Sequence, residues 1–182
     1  ARARPDPAQR GGRVQLGCGV APHTQLAIGV GRFGSVEAWD STATLSGKTA
    51  LHPLSGEDVG VALAYALDAV AAAGQRWRHS GSSATLIVSV PFAGTLLHAN
   101  LGLAHHPLDG SNARPYVLAV EWPGEQGIDV GVEVFGQRGE SPWLGAGLRA
   151  AVVRDRFFVD LSFAQQRGSG ARQVTVGLKA AF

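Results

Sequence analysis

The strongest constraint in this chain is a two-residue alternation of apolar with small or polar side chains, repeated along almost its whole length. In residues 128–135, Ile128, Val130, Val132 and Val134 alternate with Asp129, Gly131, Glu133 and Phe135. Successive side chains of a strand point to opposite faces, so the first set forms one apolar stripe and the second lies behind it. A helix would scatter both sets around its circumference. The same spacing recurs in residues 14–20, 26–30, 86–90, 97–103, 116–122, 144–152, 157–163 and 173–182. Two segments carry it less cleanly. Residues 37–51 alternate only loosely, and residues 59–73 are Ala-rich enough for a helix on propensity. In the second, Val59, Val61, Leu63, Tyr65 and Leu67 against Gly60, Ala62, Ala64 and Ala66 favour a strand. About eleven strands result, in an antiparallel up-and-down order joined by hairpins. Residues 1–12 are expected to be a polar N-terminal segment or external loop, and residues 13–182 a single β domain.

Composition removes several other classes. A chain of 182 residues with 45% apolar content is not disordered and is long enough to bury a core. A formal charge of +2 is not the strongly basic balance of a nucleic-acid binder. A single cysteine, Cys18, excludes a disulfide framework within the chain and any multi-cysteine metal site. No stretch reaches the ~18 unbroken apolar residues of a membrane-crossing helix.

Alternation alone does not decide between water and lipid. A soluble sandwich turns its apolar face inward. A membrane barrel turns it outward and lines its lumen with small and polar groups. Three features favour lipid. The non-apolar face is Gly, Ala and Ser with scattered charges rather than Lys, Glu and Thr. Nearly every strand repeats the same pattern. Aromatic residues sit near strand ends, at Tyr116, Trp122, Trp143, Phe157, Phe163 and Phe182, as in the girdles of membrane barrels. Connections also tend to alternate. Those near Pro22–Thr24, Phe92–Gly94, Pro123–Gly127 and Arg154–Arg156 are short, while Gly74–Ser83 and His105–Arg114 are long.

The chain ends on Thr175, Gly177, Ala180 and Phe182 in a polar–x–Gly–x–x–apolar–x–aromatic spacing. This resembles the C-terminal β-signal of bacterial outer-membrane barrels, which the barrel-assembly machinery reads. It departs at Ala180, where a larger apolar or aromatic residue is usual. The wider pattern resembles small outer-membrane transporters of the phenol-degradation meta-pathway type. That resemblance implies an all-β, antiparallel transmembrane barrel in a Gram-negative outer membrane. It implies lipid and the assembly machinery as partners, with passage of a small solute, and neither catalysis nor a cofactor. Single-chain bacterial barrels have an even number of strands with both ends periplasmic. Eleven strands then imply a twelfth preceding Ala1. Cys18 either pairs with a cysteine on that strand or faces lipid as a small hydrophobe.

The polar set supplies the candidate site. His98 and Asn100 share one strand face, Glu121, Asp129 and Glu133 the next two, and Arg149, Asp160 and Lys179 later ones. They form either a constriction that selects solutes or a charge-paired interior that keeps the barrel closed. His79, His105 and His106 lack carboxylates or cysteines at metal-ligand spacing. Ser80, Ser82 and Ser83 beside His79 raise a second reading, an outer-membrane hydrolase, without a third group to orient the pair. A soluble all-β binding module is the third.

Overall fold

The computed structural model describes residues 10–35, 38–124, 127–154 and 156–181. Every regular element among them is a strand: β1 (Arg10–Ala21), β2 (Thr24–Gly34), β3 (Trp39–His52), β4 (Gly60–Ala71), β5 (Arg78–Phe92), β6 (Thr95–His106), β7 (Ser111–Ala113), β8 (Pro115–Trp122), β9 (Ile128–Gln137), β10 (Trp143–Val153), β11 (Phe157–Gln166) and β12 (Arg172–Ala180). They form one 12-stranded sheet in the order β1-β2-β3-β4-β5-β6-β8-β9-β10-β11-β12, with the short β7 beside β6. The pairs with resolved register are antiparallel. The eleven long strands are those the alternation marks. The Ala-rich segment is a strand, β4, and not a helix.

Strand ends differ from the expectation. The loop expected over Gly74–Ser83 is shorter, because β5 already begins at Arg78. Ser80, Ser82 and Ser83 therefore sit in a strand. Likewise β6 runs to His106, and β7 fills part of the expected loop His105–Arg114. β1 opens at Arg10, inside the expected N-terminal segment, the rest of which lies outside the described residues. Turn chemistry sets the two-residue connection between β5 and β6. Ala93 (φ 49) and Gly94 (φ 77) are both left-handed, the backbone of a type I′ hairpin whose twist matches the strands it joins.

The chain divides into two compact units. One holds Ala1–Thr49, Ala64–Ala84 and Ala104–Asn112; the other holds Ala50–Leu63, Thr85–Leu103 and Ala113–Phe182. In the first, Val14, Leu16, Ile28, Val30 and Leu45 are exposed on one face. The opposite face carries Arg13, Gly29, Gly31, Thr42 and Thr44, in register across β1, β2 and β3. In the second, Val130, Val132, Leu148, Leu161, Val176 and Leu178 are exposed, Leu178 at 76%. The intervening residues of β9, Asp129, Gly131 and Glu133, are more covered.

Within each unit these apolar side chains are therefore exposed among the described residues. Only Ala62, Ala71 and Ala164 are buried hydrophobics among the described residues, and no side chain is fully buried. Water-soluble domains put their large apolar side chains inside; this sheet leaves them exposed.

Glycine has a specific place in the pattern. Glu121 faces Gly131, Glu133 faces Gly145, Asp160 faces Gly177, and Arg13 faces Gly31. At Gly145 and Gly177 the bare glycine leaves room for the side chain opposite, and the Arg13 guanidinium lies over Gly29, the next glycine along β2 on that face. A Cβ on Gly145 would sit 2.9 Å from Cγ of Glu133, which lies across it. The glycines thus let charged groups lie flat on the polar face, which accounts for part of the count of 25.

Candidate functional site

Strand parity in the second unit brings six of the eight expected polar residues to one place. His98 on β6, Glu121 on β8, Asp129 and Glu133 on β9, Arg149 on β10 and Asp160 on β11 line a cleft of about 400 Å³. Its floor is small, because Glu121 continues in register through Gly131, Gly147, Ser162 and Thr175.

Two connected groups organise the cleft. In the first, Arg149 stands in register between Asp129 and Asp160, and its Nε donates to Asp160 Oδ1 at 2.6 Å. This ion pair is half-exposed, at 47% and 37%, so its contribution to stability is about 0–1 kcal/mol. In the second, Ser89 Oγ and His98 Nδ1 are 2.8 Å apart. His98 Nε2 lies 3.7 Å from Glu121 Oε2, too far for a hydrogen bond but close enough for attraction when the ring is charged. That nitrogen is enclosed and has no hydrogen-bond partner among the described residues.

Two expected residues stand apart. Asn100 lies on the same face of β6 but does not line the cleft, and its Oδ1 is enclosed without a hydrogen-bond partner among the described residues. Lys179 faces Phe158 across β11 and β12, with Nζ 5.6 Å from the ring centroid, a cation–π contact. Of the terminal motif, Thr175 pairs with Ser162 and Gly177 with Asp160 on the polar face, while Ala180 pairs with Phe157. Phe182 lies outside the described residues.

The aromatics divide. Trp122, Phe157 and Phe163 are exposed on the apolar face. Trp143 is not: it lies on the polar face, stacked on Phe135 with centroids 6.0 Å apart. Its neighbour Leu144 takes the apolar side, and adjacent strand residues cannot share a face.

The first unit carries its own polar contact. Thr44, 8% exposed, donates its hydroxyl to Asp68 Oδ1 at 2.6 Å. Removing the donor leaves a partly covered carboxylate without its short, charge-assisted bond. Thr44→Val is expected to cost about 1–3 kcal/mol, read as a lower urea midpoint for refolding.

The histidines outside the cleft bond locally. His79 Nε2 is 2.9 Å from the carbonyl oxygen of Gly81, and His105 Nδ1 is 3.0 Å from Asn112 Oδ1. In the turn before β7, the Ser111 hydroxyl and then its amide, 2.9 Å away, hold the Asp109 carboxyl below its ordinary 3.8. No group of three or more His, Cys, Asp or Glu is placed to hold a metal ion among the described residues.

Ser89 is the member of the cluster that sequence reasoning missed. Its parity puts it on the polar face, but its contact with His98 depends on the β5–β6 pairing.

Together these features define an antiparallel all-β protein with one exposed apolar face and one charged, glycine-lined face. No family model matches this chain, and neither a curated protein nor a solved structure does.

Proposed function

We propose that this chain is a bacterial outer-membrane β-barrel protein that passes small solutes, of the kind the phenol-degradation meta-pathway transporters exemplify. One observation carries the reading: large apolar side chains are exposed in strand after strand, while the set behind them is the more covered in β4, β6, β9 and β11. Lipid is a solvent that rewards that arrangement, and a closed barrel satisfies every backbone group within it. In this reading the charged face lines the lumen, and the cleft around His98, Glu121 and Arg149 is where a solute meets it. β12, through Thr175, Gly177 and Ala180, is then the segment that the assembly machinery engages. The lining supplies charge and hydrogen bonds to a passing solute and needs no cofactor to do so.

The hydrolase reading has less support: His79 Nε2 lies 2.9 Å from the Gly81 carbonyl oxygen, and Ser80, Ser82 and Ser83 share β5 with it.

Gel mobility of the protein from outer membranes, unheated against boiled, tests the membrane reading. A folded barrel that resists the gel detergent runs differently until boiled, and a mobility shift followed by single-channel conductance in a planar bilayer is the expected outcome. Recovery in the soluble fraction, with no shift, overturns it.

A further inference from the structure

We propose that His98 is the specificity-determining residue of the cleft, making it prefer cations while its ring is neutral and weakening that preference when the ring is protonated. The inference rests on the channel reading and names the solute class that the channel takes.

The lining is unevenly charged. Glu121, Asp129, Glu133 and Asp160 face one guanidinium, Arg149, which is committed to Asp160. Rings of carboxylates favour cations in narrow polar passages. Histidine is the side-chain type that changes charge near neutrality, and His98 is the histidine that lines the cleft.

Its surroundings are arranged to respond to a proton. Ser89 on β5 occupies Nδ1. On β8, Ala119 is in register with His98, and Glu121 lies 3.7 Å from the enclosed Nε2. Beyond them on β9, β10 and β11 the charged groups of the cleft are Asp129, Glu133, Arg149 and Asp160. A neutral ring leaves the Glu121 charge free to act on a passing ion. A protonated ring presents a charge to that carboxylate, so the contact tightens and the cleft loses one unit of negative charge. Histidine is the side-chain type of this lining whose charge responds near neutral pH, so a comparison of pH 8 with pH 5.5 addresses the ring.

Reversal potentials across a planar bilayer in a potassium chloride gradient read this directly, with the whole chain reconstituted. The parent protein is expected to prefer potassium at pH 8. Its cation-to-anion permeability ratio falls roughly two- to fivefold at pH 5.5, the effect of one nearby screened charge. His98→Gln keeps the potassium preference at pH 8 and loses the pH response. Glu121→Gln lowers the preference at pH 8. Conductance without cation preference, or a pH response that persists in His98→Gln, overturns the proposal while leaving the channel intact. The absence of any conductance from protein that shows the gel shift overturns the channel reading and this inference with it. Should His98→Gln fail to give the shift, His98→Asn, smaller and equally unable to titrate, takes its place.

Discussion

Val132→Arg is expected to lower refolding stability in lipid by about 2–4 kcal/mol, the cost of a cation on the lipid face of a barrel strand. Val132 is 44% exposed, and that exposure gives the substitution its meaning. On a surface in water, an arginine at so open a position changes stability by no more than about 0.5 kcal/mol. In a packed core it would be severe, but the side chain is not in one. The matched control is Leu108→Arg, an apolar residue of similar exposure in the turn before β7, outside the strands. Urea titration of both variants in lipid vesicles, with the gel shift as the folding readout, compares them. A large loss at Val132 with little at Leu108 places the stripe against lipid. Equal, small losses place it in water and leave the apolar face unexplained by a membrane. A large loss in protein that also folds without lipid assigns the face to a second protein surface.

Period-two patterning made the strands legible because it persists wherever one face is apolar and the other is not. It stops being legible where strands run past the apolar band. At Arg78–Ser83 both faces are small or polar, so the sequence looks like a loop although the ladder continues. The polar candidates followed from parity alone, which puts them on one face; the register then gathers His98, Glu121, Asp129, Glu133, Arg149 and Asp160 in one cleft. Parity does not fix register: sliding one strand by two residues keeps every side chain on its face and changes every neighbour. Hence Ser89 beside His98, and Lys179 beside Phe158 instead of the cleft, needed the structure. Trp143 was readable but misread. Position near a strand end suggested a girdle residue, while the parity set by Leu144 already put it on the other face, where it stacks on Phe135.

Arg149→Gln is expected to separate the cleft's electrostatics from its stability. The guanidinium is half-exposed and its ion pair correspondingly weak, so the urea midpoint should move by no more than the equivalent of about 1 kcal/mol. Ion selectivity should move far more. Glu121, Asp129, Glu133 and Asp160 would then stand without the cation that Asp129 and Asp160 flank in register. One unit charge a few ångströms from a passing ion is worth about 1 kcal/mol in water, less in salt, so the cation-to-anion permeability ratio should rise roughly two- to fivefold. This is opposite in sign to the effect of protonating His98, and independent of pH between 8 and 5.5. Asp160→Asn should lower the ratio, and the double variant should return it toward that of the parent. A ratio unchanged in Arg149→Gln means that Asp129, Arg149 and Asp160 form a structural row that permeating ions do not meet. The selectivity would then rest on Glu121 and Glu133 alone.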